Sequence, residues 1–198
     1  MSAEVAVPEL ETARLRLRPW RAGDIDAWAE INADPQVREY LYPRRPLTRT
    51  EAEAEIEQLR AHWQRLGFGH WAVELRETGE LVGRTGARRH ADWDLDPENT
   101  EVGWLYARSV WGQGLATEGA LAVVEFCLEQ LGRPEVISIA HVDNLASHRV
   151  MQRAGLEWAG VRRWHERSLD VVWYSSRRTA AKTGDPRRRG PYRSASGT

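Results

Sequence analysis

Between Thr100 and Leu131 a strand, a turn with two glycines and a long one-faced helix follow one another without a break. This junction limits the fold more than any other segment. Thr100 to Tyr106 has the composition of a strand, and Trp111-Gly112-Gln113-Gly114-Leu115-Ala116-Thr117-Glu118 supplies the turn. From Gly114 to Leu131 the apolar positions Ala120, Val123, Val124, Cys127, Leu128 and Leu131 recur on one helical face, until Gly132 and Pro134 stop the helix. A strand feeding a helix with one apolar face is a unit of α/β architecture, since that face must be buried against a sheet.

The remaining segments extend this pattern. Thr12 to Trp20 alternates Leu15 and Leu17 with Arg14, Arg16 and Arg18, the period of a half-buried strand. Asp24 to Ala33 and Thr50 to Leu66 carry helical spacing, the second through Ala54, Leu59 and Leu66, with a loop over Pro43 to Pro46 between them. His70 to Glu77 and Glu80 to His90 read as a hairpin around Thr78-Gly79, and the polar loop Asp92 to Asn99 leads into the strand at Thr100. After the long helix come a strand at Glu135 to Val142, a helix from Asn144 to Ala154 ended by Gly155, and closing strands at Glu157 to His165 and Leu169 to Arg177. The expected fold is an α/β sheet of mixed direction with helices on both faces.

A chain of 198 residues holds one substantial core rather than two. We assign the domain to residues 9–177 and expect residues 1–8 and 178–198 to be disordered termini. No run approaches the roughly 20 consecutive apolar residues of a membrane-spanning helix, so no membrane partner is expected. The first residues lack the basic start and apolar stretch of a secretory leader, and Cys127 is the lone cysteine; both features point to the cytoplasm. The net charge of −1 divides into +4 from Lys182 onward, where five basic residues accompany one acid, and −5 for residues 1–181. That basic end, rich in Gly, Pro, Ser and Arg, reads as solvated chain. A nucleic-acid partner is not expected, because only Tyr192 lies among those arginines and no recognisable module surrounds it.

The two-glycine turn has two open readings. The first turn of a helix has backbone N–H groups without internal partners at the positive end of the helix dipole, a natural cradle for phosphate. Gly112 and Gly114 let a ligand approach the backbone closely, and Thr117 adds a hydroxyl. Glu118 can cap the helix start but would repel phosphate if it pointed inward. The other reading is a tight strand-to-helix turn with no ligand. The segment has neither the Gly-Lys-Ser/Thr ending of a nucleoside triphosphate loop nor the spacing of a dinucleotide fingerprint.

Neighbouring segments bear on that choice. Thr12-Ala-Arg-Leu-Arg-Leu-Arg-Pro-Trp20 with Asp24, Glu101-Val-Gly-Trp-Leu-Tyr106, the Trp111 to Glu118 turn, Asn144-Leu-Ala-Ser147 leading to Ala154-Gly155-Leu156, and Asp170-Val-Val-Trp-Tyr-Ser175 occur in one order. In these the chain resembles the GNAT superfamily of N-acetyltransferases, and more narrowly the branch of the ribosomal-protein N-terminal acetyltransferases RimJ and RimL. The likeness runs from about Glu9 to Ser176. Trp111 departs from the pattern, standing where many members carry Gln or Arg.

The resemblance implies a mostly antiparallel sheet splayed between the strands near 101–106 and 135–142, with the pantetheine of acetyl-CoA in the gap. Backbone groups of Trp104, Leu105 and Tyr106 would pair with it. Gly112, Gln113, Gly114, Leu115, Ala116 and Thr117 would hold the pyrophosphate, and Asn144 a pantetheine amide. Asn is also a favoured helix cap, and one residue can serve in both roles. Gly103 fits a bulge or close backbone approach, or a plain packing concession.

For chemistry, the matching positions make Glu101 the general base and Ser147 the group that protonates the leaving thiolate. Their bland alternatives are a surface strand carboxylate and a polar residue in a first helical turn. His141 and His148 are second-choice bases. Cys127 reads as a core residue, and His62, His70 and His90 lack metal-ligand spacing, so no metal is expected. Most of the ten tryptophans should pack the core, although Trp93 and Trp111 lie in loops where they can wall a site.

The leading expectation is an enzyme that moves acetyl from acetyl-CoA to a primary amine, of a protein N-terminus or a small molecule, by direct attack in a ternary complex. It would act as a monomer or homodimer. The alternative is a non-catalytic acyl-CoA sensor or interaction module. The acceptor pocket is expected to draw on the segments Asp34 to Glu53 and Arg89 to Asn99.

Overall fold

The computed structural model describes residues 5–164 and 169–176. Eight strands form one sheet in the order β1-β2-β3-β4-β5-β6-β8-β7. They are β1 (Leu10–Glu11), β2 (Leu15–Arg18), β3 (His70–Leu75), β4 (Leu81–Arg88), β5 (Glu101–Tyr106), β6 (Ile137–His141), β7 (Glu157–Trp164) and β8 (Leu169–Ser175). All neighbours run antiparallel except β5 and β6, which are parallel. The helices are α1 (Ile25–Ala33), α2 (Pro35–Arg38), α3 (Arg49–Leu66), α4 (Leu115–Glu125) and α5 (Leu145–Arg153). The mixed, mostly antiparallel sheet expected from the sequence is thus present.

Period-two alternation decides which face each strand residue serves. Leu15, Leu17, Trp71, Val73, Val82 and Val102 form one buried cluster with Leu115, Val123 and Cys127 of the α4 segment and Met151 of α5. On the opposite face Ala72 and Leu105 pack with Trp28 and Ile31 of α1 and with Ala52, Ile56 and Leu59 of α3. The spacing of Ala52, Ile56, Leu59 and Trp63 is therefore the true inner stripe of α3, whereas Ala54 is exposed. A smaller cluster of Trp93, Ile137, Trp164 and Val171 closes the far end, with Trp93 edge-on to Trp164 and Trp173.

Two packing details position the site. A Cβ on Gly119 would collide with the Tyr106 hydroxyl, so glycine lets α4 sit directly on β4 and β5, over the Thr85 Oγ1···Tyr106 hydroxyl contact of 2.7 Å. Arg18, 2% exposed, donates to Asp24 through two 2.7 Å bonds and to Glu74 at 2.6 Å, tying β2 and β3 to the entry of α1. Burial works against that guanidinium, but the two carboxylates outweigh it and raise its pKa.

Several expectations need correction. The long helix stays α-helical only to Glu125, and a π-turn over Phe126–Gln130 completes it. Val5 and Gln64 exchange two hydrogen bonds and Pro8 accepts from the Trp71 indole at 2.6 Å, so residues 5–8 lie on the domain rather than free of it. Residues 1–4 and 178–198, and the expected strand ends at His165 and Arg177, lie outside the described residues. Cys127 is buried, and burial pushes its thiol up to about 12, which suits a core residue.

Candidate active site

The parallel ladder between β5 and β6 stops almost where it begins. Glu101 pairs with Ile137, whose N–H donates to Thr100 O at 2.9 Å. One residue later the Ser138 hydroxyl donates to Val102 O at 2.7 Å, in place of a backbone bond. Backbone groups alternate sides along a strand, so Trp104 and Tyr106 point the same way as Thr100 and Val102, beyond the end of the β6 pairing. Their edge opens on a gap. The Trp111 indole, half-exposed, donates to Tyr106 O at 2.8 Å and covers the last carbonyl of that edge.

The turn after β5 supplies a second open backbone surface. Gly112 and Gly114 have φ of 77° and 80°, left-handed values that favour glycine. Gly114 is the N-cap of α4 and no side chain caps it, whereas α2, α3 and α5 are capped by Asp34, Thr48 and Asn144. Glu118 is turned away from the amides of Leu115, Ala116 and Thr117. It accepts from Thr12 Oγ1 at 2.6 Å and from the Arg14 backbone at 2.8 Å, and pairs with the Arg14 guanidinium at 2.6 Å. Burial opposes ionisation of Glu118, but these donors outweigh it and lower its pKa.

A cavity of about 600 Å³ joins the two surfaces and continues through the gap. Of the residues singled out in the sequence, Glu101, Trp104, Leu105, Tyr106, Gly112, Gly114, Leu115, Ala116, Thr117, Asn144 and Ser147 line it. Gln113 does not: its side chain turns to Ser109 O and its own carbonyl accepts from Arg14 at 2.9 Å. Asn144 caps α5 by accepting from Ser147 N at 3.1 Å, which sets the Ser147 side chain on the cavity wall. His141 lines the cavity, with its ring 5.5 Å from that of Tyr40. His148 is buried with Nε2 on His141 O at 3.1 Å, a structural position. Trp93 lies in the core and Trp111 lines the cavity.

On the α1–α3 face the sheet forms a polar dish. The register puts Gly86 beside Gly103 and beside His70, and Arg88 opposite Glu101. A Cβ on Gly103 would come within 3.2 Å of both Glu101 carboxylate oxygens and 3.5 Å of His70 Cε1, so glycine keeps the floor open between these groups. His90 Nε2 lies 3.4 Å from Glu101 Oε2, and Ile139 N lies 3.5 Å from Oε1. Burial, with Arg84 next to it, holds His70 well below the usual histidine value, so it is neutral near pH 7. Of the expected acceptor segments, residues 36–37, 39–42 and His90 reach the cavity; residues 91–99 do not.

A family model for the GNAT acetyltransferase domain matches residues 14–157. The chain belongs to the GNAT acetyltransferase family. It is 34% identical, over 76% of its length, to the FsC-acetyl coenzyme A-N(2)-transacetylase of Aspergillus fumigatus, of which it spans 66%. Among solved structures it resembles an acetyltransferase from Agrobacterium tumefaciens with a TM-score of 0.74 and 25% identity, covering 90% of this chain and 99% of that one. RimL, a ribosomal alpha-N-protein acetyltransferase in complex with coenzyme A, shares the fold at a TM-score of 0.68 and 17% identity, over 83% and 94% of the chains. This GNAT chain is an N-acetyltransferase, and acetyl-CoA is the family's donor. Among the described residues no helix is long and apolar enough to cross a membrane.

Sequence reasoning missed Arg84, Arg88, His70 and His90 as cavity residues. A signal was present. Arg84, Gly86 and Arg88 sit two apart on a strand flanked by two others, and a half-buried charge such as that of Arg84 is costly on a central strand unless a site uses it.

Proposed function

We propose that this GNAT enzyme moves acetyl from acetyl-CoA to a primary amine by direct attack within a ternary complex, with Glu101 as general base and Ser147 as general acid. The observation that carries this reading is the early end of the β5–β6 ladder, which leaves one cavity running from the uncapped α4 terminus to the buried Glu101 carboxylate.

The residues fit the donor. Three first-turn amides, at Leu115, Ala116 and Thr117, face a turn with two left-handed glycines and no capping side chain, and this suits a pyrophosphate. The open backbone edge at Trp104 and the Tyr106 N–H suits the amides of a pantetheine arm, which would lie as a surrogate strand between β5 and β6. Asn144, fixed as the α5 cap, stands on the opposite wall. When bound, acetyl-CoA supplies an activated thioester.

The chain's own part is to place groups and move protons. Glu101 is 7% exposed and held between His90 and Ile139 N, so its carboxylate is fixed at the polar floor where an amine must lose a proton. Ser147 lies on the first turn of α5, where its hydroxyl can give a proton to a departing thiolate. The acceptor is a protein N-terminus, the kind of substrate for which RimL is named, or a small amine. A thiol-release assay with acetyl-CoA against peptide N-termini and small amines tests the proposal. Release with at least one amine is expected; a thermal shift with acetyl-CoA but no release with any amine would overturn it in favour of a sensor.

A further inference from the structure

Arg84 has no ion-pair partner among the described residues. Its Nη1 lies 3.0 Å from Nδ1 and 3.4 Å from Nε2 of His70, and its buried Nε has no hydrogen-bond partner. Only a neutral imidazole can accept such a bond, consistent with the depressed pKa of His70. Among the described residues no carboxylate forms an ion pair with Arg84, with Arg88 across from Glu101, or with Arg38. Arg38 is 2% exposed and is met only by the neutral oxygens of Asn32, Tyr42 and Pro43. The acids whose fields reach Arg84 are Glu55 and Glu101; Glu55 accepts from the Trp28 indole at 3.2 Å, and Glu101 meets His90. Arg84 therefore lies in the fields of two carboxylates, each of which is engaged elsewhere.

An arginine stays protonated even here, although burial pulls its pKa down from the ordinary value, and a half-buried charge without an ion-pair partner is costly. The sheet places this cost on the cavity wall, on the α1–α3 face and across the sheet from α4. On that side α2 and residues 39–42 also line the cavity. A guanidinium with free donors binds carboxylate in a planar fork. The span also fits: His70 Cε1 and the Glu101 carboxylate flank the same point above Gly103, and Arg84 lies against His70. An anion held by Arg84 thus borders the same floor as an amine held at Glu101.

We propose that the acceptor is an aminocarboxylate, the class that includes free amino acids, and that Arg84 binds its carboxylate while Glu101 takes the proton from its amine. This rests on the assignment of Glu101 above. The carboxylate keeps its charge throughout; the amine nitrogen forms the new C–N bond as the thioester C–S bond breaks, and the amine proton passes to Glu101. Arg84 is a binding residue and does not touch the reacting atoms.

The test compares the common amino acids with their α-carboxamides on the wild-type protein, by thiol release from acetyl-CoA and, separately, by thermal shift without turnover. Acid over amide preference of about 10- to 100-fold in kcat/KM is expected, the range for a hydrogen bond to a charged group. Arg84→Met should abolish that preference by lowering activity toward the acid alone, with Arg84→Lys retaining part of it. Acetyl-CoA affinity should be unchanged in both. Equal use of acid and amide by the wild type overturns the proposal without any variant, as does a preference that survives in Arg84→Met. Lost acetyl-CoA affinity in Arg84→Met also overturns it, by placing the guanidinium on the donor. Should Arg84→Met not fold, the wild-type pairs and Arg84→Lys still decide. Failure of the Glu101 reading has a different signature: the acid-selective thermal shift persists while Glu101→Gln leaves turnover intact.

Discussion

The Ser138 hydroxyl donates to the carbonyl of Val102 at 2.7 Å, at the point where the next backbone bond of the β5–β6 ladder would lie. Ser138 is 1% exposed, so the bond lies out of water and the carbonyl has no solvent substitute. Ser138→Ala should therefore cost about 1–3 kcal/mol of stability, the range for leaving a buried acceptor unpaired. Urea unfolding measures this directly. A loss near zero would show that the strands close up and re-pair, and the cavity should then narrow and bind acetyl-CoA less well.

Glu101→Gln keeps shape and most contacts at the dish floor but removes the proposed base. Turnover near pH 7 should fall by about 100- to 10,000-fold, with little change in the KM for acetyl-CoA. The deficit should shrink as pH rises, because an amine that deprotonates in bulk solvent needs less help. A pH–rate series on both proteins checks this. Unchanged turnover at neutral pH would move the role to water or to His141, which also lines the cavity.

Much of this architecture is readable from the chain alone, and the reasons differ by element. The hairpin at Thr78-Gly79, the end of α3 at Leu66 and the two-glycine turn are set by local chemistry, so spacing and turn residues suffice. The inner stripe of α3 was misread because Ala54 and Ala52 look alike in sequence; which one is buried depends on where α1 and β4 lie. The run from Leu15 to Trp20 carries a structural role that no periodicity reveals, the buried Arg18–Asp24–Glu74 cluster, which joins residues 56 apart. Likewise the polar dish unites His70, Arg84, His90 and Glu101 from three strands and a loop, and only strand order brings them together.

Glu118 offers a pH test at the other end of the cavity. Its folded pKa is lowered, so its bonds to Thr12 and Arg14 contribute stability above the unfolded carboxylate value, about 4.3, and this contribution is lost as pH falls through the folded value. The side chain is 17% exposed, and a charge-assisted cluster of this kind contributes about 1–3 kcal/mol. Glu118→Gln should thus be less stable than wild type at about pH 7, with the gap closing below about pH 4. A gap that stays constant with pH would mean that the hydrogen bonds alone, and not the charge, hold β2 to α4.

The two turn glycines should respond differently to substitution, because one is set by backbone angle alone and the other also stands at the helix terminus. A Cβ on Gly112 meets nothing within 4 Å, so Gly112→Ala should cost only the left-handed penalty of about 1–2 kcal/mol and leave most of the acetyl-CoA affinity. Gly114 is the N-cap itself, with φ of 80° and only Arg14 Nη2 at 3.7 Å from its added Cβ. Gly114→Glu pays the same backbone penalty and adds a carboxylate beside the amides of Leu115 to Thr117, the charge a pyrophosphate would need to displace. Thermal shift with acetyl-CoA separates the two effects, because a ligand that binds only the native state raises the melting temperature in proportion to its binding. Gly112→Ala should lower the melting temperature of the free protein and keep the shift; Gly114→Glu should lose the shift. A folded Gly114→Glu protein that retains the full acetyl-CoA shift would remove the pyrophosphate from this turn and leave the open β5 edge as the main anchor of the donor.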